Sequence, residues 1–176
     1  MPEFRAFPKI PRLTNLHMYI TEKIDGTNAC VVVSEEGEVS AQSRSRVITP
    51  ENDNFGFARW VQQHADQLKE LGPGYHFGEW WGVGIQRGYD LSERRFSLFN
   101  VNRWEDSRPD CCHVVPLLDG GAMLNAGHVD SVAAELQKSG SRAAPGFMRP
   151  EGVMVYVDGL NQYIKHPFDP NPKGGK

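Results

Sequence analysis

Apolar and polar residues alternate with a period of two along the first part of the chain. "LHMYITEK" (16–23) and "ACVVVSEEGEVSAQSRS" (29–45) read as strands, and the second folds back on itself at Glu36 and Gly37. Val39 and Ala41 continue the alternation on the return leg. The period then changes. In "TPENDNFGFARWVQQHADQLKELG" (49–72), Phe57, Trp60, Val61, Ala65 and Leu68 recur at helical spacing. Pro50 and the acidic cluster suit a helix start, and Gly72-Pro73-Gly74 a stop, so one helix is predicted over the stretch.

"YHFGEWWGVGI" (75–85) and "RFSLFNVNRW" (95–104) read as the next strands. "GHVDSVAAELQKSG" (127–140) predicts a second, shorter helix with Val129, Val132, Ala133 and Leu136 on one face and Gly140 as its end. "EGVMVYVDG" (151–159) and "NQYIKHPF" (161–168) predict a closing hairpin around Asp158-Gly159. Strands joined by hairpins, with two separated helices, give an α+β fold of antiparallel sheets with flanking helices. The βαβ alternation of a doubly wound nucleotide fold is missing from the pattern.

Composition narrows the function. The 176 residues fit one core, and 39% hydrophobic content fills it. With 19 basic and 22 acidic side chains the net charge is −3, which argues against a blanket of positive charge for nucleic acid and for a local cleft. Cys30, Cys111 and Cys112 offer neither a disulfide framework nor metal-ligand spacing, so reduced thiols and a cytoplasmic location are expected. "MPEFRAFPKIPRL" lacks the apolar run of a signal peptide, and no stretch has membrane-spanning length. The tail from Asp169 to Lys176, rich in Pro, Gly and Lys, is expected to be flexible.

Two short stretches invite a chemical reading. "GVGIQRG" (82–88) fits neither glycine-rich phosphate motif and has no helix pattern directly after it, so its glycines are read as a bend at the end of a strand. Lys23-Ile24-Asp25-Gly26 fits KxDG, a pattern too short to carry meaning by itself. Its context changes that. "SRSRVI" follows with Arg44 and Arg46, "HFGEWWG" with Glu79, "FSLFNV" with Phe96 and Phe99, "EGVMV" with Glu151 and "YIKHPF" with Lys165. In this order the segments closely resemble the nucleotidyltransferase motifs of the covalent ligase and capping-enzyme superfamily. "GEWWGVGIQRGY" and the KIDGTN extension look most like the ATP-dependent RNA ligases, from about Thr21 to Phe168.

The resemblance implies a nucleotidyltransferase (ATP-grasp-like ligase) domain over residues 1–168, with ATP and Mg2+ or Mn2+ as cofactors. It makes Lys23 the nucleophile that takes AMP from ATP. A lysine ordinarily titrates near 10.4, leaving about four amines in ten thousand neutral at pH 7, so a nearby cation must help. Glu79 would hold the ribose hydroxyls, Phe99 (with Phe96 as rival) would stack on adenine, and Glu151 would position the metal. Lys165 would neutralise charge growing on the α-phosphate. Arg44, with Arg46 as rival, would contact nucleotide or 5′-phosphate. Asn28 would act on the adenylate during sealing, and Glu22 would frame the adenine pocket through its backbone.

Two departures stand out. The last motif commonly carries two lysines one residue apart, and here the order is Lys165-His166-Pro167; proline offers neither charge nor N–H, leaving His166, Lys173 or Lys176 as replacements. No C-terminal OB-fold or helical domain is expected after Phe168, which implies a minimal ligase, a truncated piece, or a protein partner that replaces the domain. The expected function is ATP-dependent sealing of RNA 5′-phosphate to 3′-OH ends, away from membranes. DNA ligation, capping guanylyl transfer, and a nucleotide-binding protein with weakened chemistry are the alternatives.

Overall fold

The computed structural model describes residues 3–169. Two sheets carry the fold. The first has the order β10-β9-β1-β8, built from β1 (His17–Lys23), β8 (Leu117–Met123), β9 (Gly152–Val157) and β10 (Gln162–Pro167), all antiparallel. The second has the order β4-β3-β2-β5-β6-β7: β2 (Thr27–Val33), β3 (Val39–Ser43), β4 (Val47–Ile48), β5 (Gly74–Gly82), β6 (Arg94–Leu98) and β7 (His113–Val114). Among the described residues only the β6–β7 pair is parallel, so the expected antiparallel α+β architecture is what forms. Among the described residues no helix is long and apolar enough to cross a membrane, and all three cysteines are free.

Strand alternation distributes the side chains over three cores. Ala29, Val31, Val33, Trp80, Phe96 and Leu98 point from the second sheet against Phe57, Val61 and Leu68. Met18, Ile20, Val153, Val155 and Val157 point from the first sheet against α4 (Ala126–Ser139). A third cluster, including Ile24, Trp81, Tyr89, Val101, Val115 and Phe147, fills the junction of the sheets. Each large side chain buried there stabilises the fold by roughly 1.5–3 kcal/mol. This junction fixes how the two sheets face each other.

Local chemistry corrects several expectations. The helix predicted over 49–72 begins only at Phe57 and breaks at His64, giving α1 (Phe57–Gln63), α2 (Ala65–Leu68) and a 3-10 turn at Lys69–Leu71. Asp53 causes the late start: its carboxylate accepts the N–H groups of Asn54 and Ala58 (2.7 and 2.8 Å), while Phe55 and Gly56 are left-handed. The strand predicted to Trp104 stops at Leu98, because Asn100 caps a helical turn, α3 (Val101–Trp104), by accepting the Arg103 N–H. The helix expected to be the shorter one, α4, is the longest at 14 residues and ends at Gly140. In the closing hairpin, Asp158–Leu160 forms a 3-10 turn and Asn161, at φ 51°, takes the left-handed position. Strands β7 and β8 were not anticipated, since "LLDGGAM" has glycines where β-formers would stand. Lys173, Lys176 and most of the expected tail lie outside the described residues.

Candidate active site

Alternation along β1 turns Tyr19, Thr21 and Lys23 toward the cleft and Met18, Ile20 and Glu22 toward α4. Lys23 pairs with Gly152 on β9, so the preceding Glu151 comes to its side. The Lys23 Nζ lies 2.5 Å from Glu151 Oε1, with side chains 22% and 10% exposed. Glu151 Oε2 is buried and has no hydrogen-bond partner. Gly152 permits this approach of strands: a Cβ there would lie 2.4 Å from the His166 carbonyl oxygen.

The turn after Lys23 is held from two directions. Asp25 donates its N–H to the Tyr89 hydroxyl (2.8 Å), and its carboxylate accepts from Arg87 Nε (2.9 Å). Arg87 Nη1 also donates to the Arg149 carbonyl (2.9 Å), so one guanidinium ties the lysine turn to the segment that leads into Glu151. Gly26 donates its N–H to Glu79 Oε1 (3.0 Å). Only glycine fits there, because a Cβ would stand 2.5 Å from the Trp80 carbonyl oxygen.

From the second sheet, Asn28 on β2 sits opposite Glu79 on β5 and donates Nδ2–H to Glu79 Oε2 (3.4 Å). Burial pushes the Glu79 carboxyl up to about 8, with Glu151 and Asp25 adding to the rise; the Gly26 N–H and the Lys23 charge oppose it. Below its ordinary value of 4.5 the carboxyl is protonated whether the chain is folded or not, and the contribution to stability is full. As pH rises toward about 8 the unfolded chain releases this proton first, and a few kcal/mol of stability are lost. Denaturant titrations at stepped pH should therefore show a fall across this window that is smaller in Glu79→Gln. Equal slopes for the two proteins would contradict the burial argument.

The remaining predicted residues divide. Phe96 is fully buried in the second sheet's core, whereas Phe99 is half-buried and lines a cavity of about 210 Å3 with Tyr19, Thr21, Tyr156 and Tyr163. Of the two arginines, Arg46 is spent on the carbonyls of Asn52 and Asp53 (2.9 and 3.3 Å). Arg44 follows Ser43, which pairs with Ala29, and is exposed at the end of β3 near Asn28. Lys165 pairs with Met154 and shares the cleft face with Lys23, one row away, without touching it or Glu151. Pro167 stands opposite Gly152, in the row of Lys23 itself. His166 points the other way, toward Asp130 (3.4 Å), so it does not replace the missing lysine.

Glu22 is not a pocket side chain. Its carboxylate, 1% exposed on the α4 side, accepts from the Ser141 hydroxyl (2.6 Å) and from the N–H groups of Arg142 and Ala143 (2.7 and 2.9 Å). Its backbone N–H is used by the Pro116 carbonyl (3.0 Å). Arg87, Tyr89 and Ser141 were missed by sequence reasoning. "GVGIQRG" does bend the chain, with Gly82, Gly84 and Gly88 at positive φ; the purpose of the bend is to bring Arg87 and Tyr89 to Asp25, and only their spacing from the KxDG segment in space reveals it.

A family model described as RNA ligase matches residues 16–158. A Naegleria gruberi RNA ligase variant with AMP and Mn superposes at TM-score 0.63 and 17% identity, covering 95% of this chain and 57% of that one. A variant with ATP and Mn gives 0.63 and 18% with the same coverage, and another with ATP and Mn gives 0.65 and 18% over 88% and 50%. The chain thus spans about half the length of these ligases. At such identity the likeness speaks for the fold.

Proposed function

The chain belongs to the RNA ligase family, and we propose that it seals RNA ends through an AMP carried on Lys23. The observation that carries this reading is the junction itself: Lys23 at the end of β1, Glu151 just before β9 and Glu79 on β5 of the other sheet converge on one partly enclosed amine. ATP and a divalent cation are the cofactors, a reading supported by the Naegleria structures with ATP, AMP and Mn.

In the first step Lys23 Nζ, as the neutral amine, forms an N–P bond to the α-phosphorus and loses one proton to solvent, while the bond to pyrophosphate breaks and pyrophosphate leaves. AMP then passes from nitrogen to a 5′-phosphate, and a 3′-hydroxyl displaces it to complete the join. Glu79 holds the ribose, Phe99 receives adenine in its cavity, and Lys165 and Arg44 supply positive charge to phosphate oxygens. Asn28, one strand from Glu79, orients the adenylate during sealing. Glu151 would hold the cation: its orphaned buried oxygen suits a hard ion, and a magnesium-like ion needs few protein ligands. Among the described residues no cluster of three or more His, Cys, Asp or Glu offers a fuller cage. When bound, the cation would neutralise phosphate charge. Pro167 supports a second reading, a nucleotide-binding protein with slow chemistry, since it removes one cation from the row of Lys23.

Incubation with labelled ATP and Mg2+ or Mn2+ should give an acid-labile AMP adduct, located by mass spectrometry on the Lys23 peptide. Reversible ATP binding with no adduct would favour the slow or binding-only reading, and labelling by GTP alone would favour capping chemistry. A nick with an RNA 3′-OH strand should be sealed, and product from an all-DNA nick alone would move the substrate to DNA.

A further inference from the structure

Beyond Glu79, β5 runs outward from the site, and its cleft face changes character. The register Asn28–Glu79, Cys30–Phe77, Val32–Tyr75 is unbroken, so Glu79, Phe77 and Tyr75 share that face while His76, Gly78 and Trp80 enter the core. Phe77 and Tyr75 are 58% and 62% exposed. Their rings lie nearly parallel, 15° apart, with centroids separated by 6.3 Å. Phe99 adjoins them, because its N–H donates to the Phe77 carbonyl (3.0 Å). An aromatic track therefore leads from the cavity lined by Phe99, through Phe77, onto an open sheet face, with Cys30 and Val32 of β2 beside it and the polar Ser40 and Gln42 beyond them on β3.

Two aromatic rings more than half exposed on a sheet face suit flat π-faced ligands. Sheet-borne aromatics are a recurring means of holding unpaired RNA bases, tolerant of sequence because every base has a π-face. The charge balance points the same way. At net −3 the chain has no general excess of positive charge for phosphate contacts, so stacking beside the cleft would add what a few local cations do not. Resting on the RNA ligase reading above, we propose that Phe77 and Tyr75 form a stacking platform for unpaired bases of the RNA strand whose end is being joined.

The test is fluorescence anisotropy with a short labelled 5′-phosphorylated oligoribonucleotide, alongside AMP labelling of Lys23. Both side chains are exposed, so truncation should preserve the fold, checked by thermal melting. Tyr75→Ala and Phe77→Ala should each weaken RNA binding about five- to hundredfold, Tyr75→Phe should stay close to the parent, and AMP labelling should persist in all. RNA affinity within twofold of the parent for both alanine variants overturns the platform, as does normal RNA binding with an altered self-association. If the parent takes no AMP yet the alanine variants still lose RNA, the chemistry assigned to Lys23 fails and the platform stands.

Discussion

Lys23→Arg should lower AMP transfer to the protein by roughly a thousandfold or more while leaving the fold within about 1 kcal/mol of the parent. Arginine is the informative substitute. It keeps a positive charge beside Glu151, where the lysine now sits 2.5 Å from Oε1, and so avoids leaving a buried carboxylate unpaired. What it removes is the capacity to become a neutral nucleophile, since a guanidinium holds its proton throughout the accessible range. Gel labelling with ATP, read beside a denaturation curve, separates the two quantities. Label that persists on another residue would show that the amine facing Glu151 is not the acceptor.

Glu22→Ala should cost about 3–5 kcal/mol in denaturant unfolding, the largest stability effect expected of any site residue. Three donors converge on this carboxylate at 2.6–2.9 Å, and Ser141, from which one of them comes, is itself buried. Removing the acceptor strands them and opens a void beneath the strand that ends in Lys23. Glu22→Gln should cost less, because one oxygen remains an acceptor while its amide NH2 meets backbone donors. A cost below about 1 kcal/mol for Glu22→Ala would mean that the 141–144 loop finds other partners and is not held by this group.

The apolar pattern was enough to find β1, β2, β5 and β9, because each sends side chains into a core, whereas β10, exposed along nearly all its length, was legible through the Asp158-Gly159 turn before it. The KxDG turn, Glu79 and Glu151 were also legible, through the order of the motifs. What local pattern could not reveal was register. Whether Glu151 meets Lys23 depends on Lys23 pairing with Gly152 and on no other residue. Phe99 and Phe96 are three apart in one apolar run, an odd spacing that puts them on opposite faces, and the pattern alone does not say which face is the core. The helix over 49–72 was overextended for a related reason: the side chain of Asp53 binds the N–H groups that a longer helix would have used internally. The motif order gives Glu22 only a backbone role at the adenine pocket and Arg87 no role, yet both side chains are spent internally on partners distant in the chain.

The strand order β10-β9-β1-β8 places the opening strand of the domain between two that come late in the chain. During synthesis on a ribosome, Lys23 emerges well before its carboxylate partner Glu151 and the Lys165 strand. Such long-range pairing is slow and comes after local structure. A chain not yet extended through β9 and β10 would thus carry Lys23 without Glu151 and Lys165 in place, and under the proposed chemistry its reactivity toward ATP would await their arrival.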